Sequence, residues 1–125
     1  MSQSSKVVRK LAAIVFTDIV GYTKLSAENE PDALKLLETQ RKLIKPIVEA
    51  HNGEWLKEIG DGLLLCFSTN HDAVNCSIDI QEKAKLVRNL SLRIGIHQGE
   101  VVYQGKDIVG DDVNIASRIE SFSAP

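Results

Sequence analysis

Cysteine is scarce. The 125 residues contain two, Cys66 and Cys76, with no CxxC spacing and no neighbouring His/Cys cluster. That argues against a disulfide scaffold and a zinc module, leaving two small hydrophobes suited to a reducing compartment. Long apolar runs are lacking too. Even the stretch 11–16 is broken by Thr17 and Asp18, far short of the ~20 residues a bilayer demands. The polar opening, with scattered Lys and Arg, leads into a run too short and too soon charged for a secretory signal. Nor is there an excess of one charge. Fifteen Lys and Arg face seventeen Asp and Glu, a net of −2, and the basic residues are dispersed. This leaves no electrostatic footprint for nucleic acid, no basic template channel and no patch for an anionic membrane. Internal repeats and low-complexity segments are absent. The expected setting is cytoplasmic, for the chain alone or as a domain of a longer protein.

What is present is an ordinary globular composition, 43% hydrophobic and 26% charged, at a length that suits one domain with one core. We divide it into a disordered lead-in, 1–9, and a domain, 10–125. The run 10–16 has strand length, and a turn through Asp18 and Gly21 leads to a short helix ending near Ala27. A longer helix follows, with Asn29 or Glu30 as cap and Pro31 in its first turn. Leu34, Leu37, Ile44, Ile47 and Val48 recur at helical intervals, predicting the core face. Pro46 should kink this helix or end it early, and Asn52-Gly53 supplies the stop. Residues 55–59 and 63–67 flank Gly60-Asp61-Gly62 as a hairpin. Ala73, Cys76, Ile80, Ala84 and Val87 mark one side of a helix starting near Asn70 or His71. Leu90, Leu92, Ile94 and Ile96 alternate as a half-buried strand, which Gly99 separates from 101–103. The segment 111–119 reads as a last helix with acids at its N-terminal end. Helices inserted between antiparallel-capable strands predict an α+β sandwich of ferredoxin-like connectivity.

Asp18 and Asp61 stand out because each closes an apolar run where the chain must turn. Taken singly, either reads as a helix cap or a turn residue. Taken together, two carboxylates at neighbouring rims of one sheet are hard oxygen ligands for Mg²⁺ and mark a place for phosphate chemistry.

Four blocks carry a stronger signal: Phe16-Thr17-Asp18-Ile19-Val20-Gly21-Tyr22-Thr23, Lys57-Glu58-Ile59-Gly60-Asp61-Gly62, Arg93-Ile94-Gly95-Ile96-His97-Gln98-Gly99 and Gly110-Asp111-Asp112-Val113-Asn114-Ile115-Ala116-Ser117-Arg118. In this order they resemble the class III nucleotidyl cyclase catalytic domain, over nearly all of the chain from Lys10 onward. The resemblance implies that Asp18 and Asp61, with the Ile19 carbonyl, hold two Mg²⁺ or Mn²⁺ ions per active site. It implies that Gly21, Tyr22 and Thr23 open a helix toward the triphosphate, and that Lys57 and Asp107 read the base. A Lys donor suits the adenine ring N1 and an Asp acceptor its exocyclic amine, whereas guanine reverses that pattern, so ATP is favoured over GTP. Asn114 would orient the ribose and Arg118 bond the phosphates in the transition state.

The implied reaction converts ATP to 3′,5′-cyclic AMP and pyrophosphate in a homodimer with composite active sites. The same resemblance gives His97 no catalytic part, and Glu58, His51 and His71 are read as structural. It also implies further elements after Arg118, with a phosphate-contacting Lys, so the chain is read as C-terminally incomplete. The alternatives are a guanylyl cyclase and a nucleotide-binding dimerisation module without turnover.

Overall fold

The computed structural model describes residues 7–104 and 107–109, with side chains over 10–101. The elements run β1 (Val7–Ile19), α1 (Tyr22–Glu28), α2 (Glu30–Ala50), β2 (Glu54–Ile59), β3 (Gly62–Phe67), α3 (Asn70–Ala84), β4 (Leu92–Gln104) and β5 (Asp107–Val109). The strands form one sheet of order β2-β3-β1-β4-β5, and every neighbouring pair is antiparallel. Chain order against spatial order gives the expected ferredoxin-like α/β sandwich. The helix expected over 111–119, with Asn114 and Arg118, lies outside the described residues.

β1 is the axis of the sheet and pairs with β4 along its whole length, from Val7↔Gln104 to Ile19↔Leu92. It begins at Val7, inside the stretch expected as a lead-in. Period-two alternation sends its odd residues to one face and its even residues to the other. Ala13, Val15 and Ile19 join Leu63, Leu65 and Phe67 with the buried faces of α2 and α3 in the main core. Ala12, Ile14 and Phe16 gather with Leu64, Cys66 and Val101 on the opposite face. Each fully buried Leu, Ile or Phe in these clusters contributes about 1.5–3 kcal/mol of transfer free energy. The two cysteines are both buried and belong to opposite faces.

Several expectations need correction. α2 runs through Pro46 to Ala50, because Ile44, Ile47 and Val48 are buried on both sides of it and their packing outweighs one lost backbone bond. Its core stripe is Ala33, Leu36, Gln40, Ile44, Ile47 and Val48, while Leu34 is 58% exposed. The stop expected at Asn52-Gly53 is there, with Asn52 rather than Gly53 taking the left-handed conformation after α2, at φ 62°. Gly53 is required by packing instead, since a Cβ there would lie 2.4 Å from the Phe67 ring. Gly99 does not interrupt β4; it sits mid-strand opposite Ala12, and Leu90 precedes the strand.

Candidate active site at the rim of the sheet

The C-terminal end of β1 and the β2–β3 hairpin tip meet at one edge of the helical layer. Gly60 has φ 61° at the first of two loop positions, where a type II′ turn needs glycine. A Cβ on Gly62 would lie 2.5 Å from the Thr17 carbonyl oxygen. The tip is therefore pressed directly against β1. The Leu63 N–H donates to Thr17 Oγ1 at 3.3 Å, and the Ile19 N–H donates to Asp61 Oδ2 at 2.8 Å. This last bond places the Asp61 carboxylate beside the residue that follows Asp18.

Asp18 faces Arg93 directly across the β1–β4 ladder. Arg93 grips it bidentately, Nε to Oδ1 at 2.8 Å and Nη2 to Oδ2 at 2.7 Å. Opposite charges in cross-strand register and a planar fork on a carboxylate are both favourable. The pair is partly buried, with side-chain exposures of 36% for Arg93 and 16% for Asp18. No role was assigned to Arg93 from sequence, although it opens one of the four blocks. The missing signal was register, since only a known β1–β4 alignment reveals that its charge meets Asp18.

Asp18, Asp61 and the Ile19 carbonyl are hard oxygen donors at adjoining strand ends. An ionised carboxylate has roughly four lone-pair sites, so the two bonds from Arg93 do not by themselves use up the Asp18 carboxylate. Among the described residues no group of three His, Cys, Asp or Glu converges. Two carboxylates with room for substrate oxygens is the pattern Mg²⁺ favours over an all-protein cage, so the residues fit a divalent ion.

Gly21 caps α1 in the left-handed region, at φ 79° and ψ 9°, with no side-chain cap on the helix. A Cβ at Gly21 would meet nothing within 4 Å. The backbone conformation therefore demands the glycine, while open space above it leaves room for a ligand. Tyr22 is half-buried against the main core, and Thr23 is exposed. A cavity of about 260 Å³ borders Ile19, Gly21, Tyr22, Leu36, Asn89 and Ser91. Larger hollows of about 460 and 540 Å³ lie along α3 and its junction with β4, and contain none of the predicted site residues.

Lys57 is exposed on β2. Trp55 pairs with Leu65 and Lys57 with Leu64, because the ladder shifts between them. The bulge splits two residues that strict alternation would put on one face. Trp55 packs on the main core, and Lys57 comes to the sheet face that carries Asp18. Asp107 begins β5 opposite Gln104. β2 and β5 are the two edges of the sheet, so the topology does not make Lys57 and Asp107 neighbours. Asn114 and Arg118 fall outside the described residues.

Glu58 accepts from Arg41 Nε at 2.6 Å and Nη2 at 2.9 Å, which ties the hairpin to α2 and holds the Glu58 carboxyl below its ordinary range, chiefly by hydrogen bonding from Arg41. Burial pushes the Cys76 thiol up to about 11, so it stays protonated and unsuited to nucleophilic work. His97 Nε2 is buried with no hydrogen-bond partner among the described residues.

The family model of the adenylate and guanylate cyclase catalytic domain matches residues 6–125. The chain belongs to that family. The cyclase domain is similar to the adenylate/guanylate cyclase/hydrolase from Silicibacter pomeroyi, at 36% identity and a TM-score of 0.82 over 96% of this chain and 74% of that one. The adenylyl cyclase CyaB from P. aeruginosa matches at 26% identity and a TM-score of 0.83, over 95% of this chain and 75% of that one. Retinal guanylyl cyclase 2 of Homo sapiens is 30% identical over 92% of this chain and 12% of its own length. The chain spans 21%, 14% and 32% of the first three curated relatives it matches. Among the described residues no helix is long and apolar enough to cross a membrane.

Proposed function

We propose that the cyclase domain is an adenylyl cyclase, forming 3′,5′-cyclic AMP and pyrophosphate from ATP. The observation that carries this reading is the convergence of Asp18, Ile19 and Asp61 at adjoining strand ends, fixed by the Ile19 N–H to Asp61 Oδ2 bond of 2.8 Å. Asp18, Asp61 and the Ile19 carbonyl would hold Mg²⁺ or Mn²⁺, two ions per site, supplying charge neutralisation at the 3′-oxygen nucleophile and the pyrophosphate leaving group. The residues of the chain do the rest. Their first task is to hold the reacting atoms in line, since positioning and electrostatics carry most of phosphoryl-group catalysis. The first-turn amides of α1, beginning at Tyr22, have no carbonyl partner inside the helix and would meet the triphosphate. Gly21 keeps that approach open.

Lys57 and Asp107 would read the adenine edge, Asn114 would orient the ribose and Arg118 would bond the phosphates. Because β2 and β5 are opposite edges, assembly matters to this reading. The metal-holding half of one copy would face the base-reading half of another in a two-fold homodimer.

The test is to incubate the protein with ATP or GTP and Mn²⁺ and measure cyclic product. Cyclic AMP formation, abolished by Asp18→Ala and by Asp61→Ala, is expected. Cyclic GMP as the main product would reassign the domain as a guanylyl cyclase. Binding of nucleotide without turnover would make it a dimerisation module. If Lys57→Glu leaves base preference unchanged, the base-reading assignment fails.

A further inference from the structure

The buried stripe of α2 contains one polar residue, Gln40, which is 2% exposed among Ala33, Leu36, Ile44, Ile47 and Val48. A primary amide in an apolar stripe is a poor choice for stability, because a buried polar group costs free energy unless each of its atoms is paired. Gln40 is only half paired. Its Nε2 donates to the Asp61 carbonyl oxygen at 3.3 Å, whereas Oε1 has no hydrogen-bond partner among the described residues. A methionine has nearly the same shape and would fill this position without an orphaned oxygen. The amide's single bond falls on the backbone of the residue whose carboxylate completes the candidate site.

We infer that Gln40 is a positioning residue for Asp61. Anchoring the Asp61 carbonyl from beneath fixes the peptide plane of the hairpin tip, and with it the direction in which the Asp61 side chain leaves the backbone. Three other restraints act on the same tip: the positive φ of Gly60, the close approach of Gly62 to the Thr17 carbonyl and the Ile19 N–H on Oδ2. Gln40 is the only one of the four supplied by a helix. It makes the orientation of Asp61 depend on the seating of α2 against the sheet. Supports of this kind, one layer behind a metal-binding carboxylate, are worth roughly 10–100-fold in metal affinity. The assignment rests on the metal-holding role proposed for Asp61.

The test compares wild type, Gln40→Met, Asp61→Asn and the double variant, using the full chain. Three readouts are needed: unfolding midpoint, Mn²⁺ affinity from the electron paramagnetic resonance signal of the free ion, and hydrogen exchange of the Ile19 amide without metal. A positioning role predicts that Gln40→Met unfolds at or above the wild-type midpoint. It also predicts Mn²⁺ binding weakened about tenfold, faster Ile19 exchange and no further weakening in the Asp61→Asn background. A merely structural role predicts the reverse pattern, and a Gln40→Met protein that is markedly less stable or cannot be purified would overturn the inference. Unchanged Mn²⁺ affinity would overturn it, as would an equal loss with and without Asp61. Should wild type bind no Mn²⁺, the metal reading falls, and the Ile19 exchange arm still decides whether Gln40 orients Asp61.

Discussion

Arg93 and Asp18 show how much one side-chain pair decides at this rim. Removing the guanidinium would take two charge-assisted hydrogen bonds from a carboxylate with 16% side-chain exposure, and removing one partner of a partly buried pair costs more than the pair itself is worth. Arg93→Ala should therefore lower stability by about 1–2 kcal/mol, the value for a buried pair discounted for partial exposure. Urea unfolding at neutral pH with an unchanged m-value checks this, and a variant as stable as wild type would show that solvent already screens the pair. Gly62 makes a separate demand. The atom a methyl group would strike is the Thr17 backbone oxygen, which cannot swing away as a side chain can, so Gly62→Ala should cost about 1–3 kcal/mol. The same change would press on the hairpin tip that carries Asp61, so turnover in the proposed cyclase reaction should fall further than the stability loss alone explains.

At the scale of elements, the strands and helices were legible because hydrophobic periodicity dominates them. Alternation marked β4, helical spacing marked α3, and glycines around Asp61 marked the β2–β3 turn. What stayed hidden was set by partners distant in sequence. Nothing local shows that Leu34 faces outward while the polar Gln40 faces in, since the angular position of the α2 stripe depends on where the helix sits on the sheet. From sequence Pro46 reads as a kink or a terminator because its backbone cost is local, and the burial that carries α2 on to Ala50 is not. The bulge between Trp55 and Lys57, which brings Lys57 to the Asp18 face, leaves no mark in composition. Both candidate metal carboxylates could be picked from the sequence, but their supports, Arg93 and Gln40, could not.

One element contact carries a pH signature. Asp79 on α3 lies within 3.0 Å of Lys83 and 3.3 Å of His51, the residue that follows α2. Its carboxyl is held below its ordinary range by hydrogen bonds from Lys83 and then from His51. A depressed carboxylate contributes stability above its unfolded-state pKa, and that contribution is lost as pH falls through the lower folded value. Asp79→Asn should therefore be less stable than wild type at neutral pH, with the gap closing as acid protonates Asp79. Paired urea titrations across that range test it, and a gap that is constant with pH would remove the electrostatic explanation.

For the whole molecule, the decisive question is whether one folded chain can assemble every group the reaction needs. The sheet order separates the two edge strands that carry Lys57 and Asp107, while the carboxylates sit at the end of central β1 and at the adjoining hairpin tip. In the proposed homodimer each site draws metal ligands from one copy and Lys57, Asp107, Asn114 and Arg118 from the other. Two separately dead variants should then rescue one another. In Asp61→Ala the metal half is broken, and in Arg118→Ala the opposing half is broken. A mixed dimer concentrates both defects in one site and leaves the other intact. Random assortment makes half of the dimers mixed, each with one working site of two, so an equimolar mixture should recover about a quarter of wild-type activity. Each variant alone should stay near background, and specific activity should rise with protein concentration through the dimerisation range. A mixture as inactive as its components, despite exchange of subunits shown by labelled protein, would place all the groups of a site within a single chain.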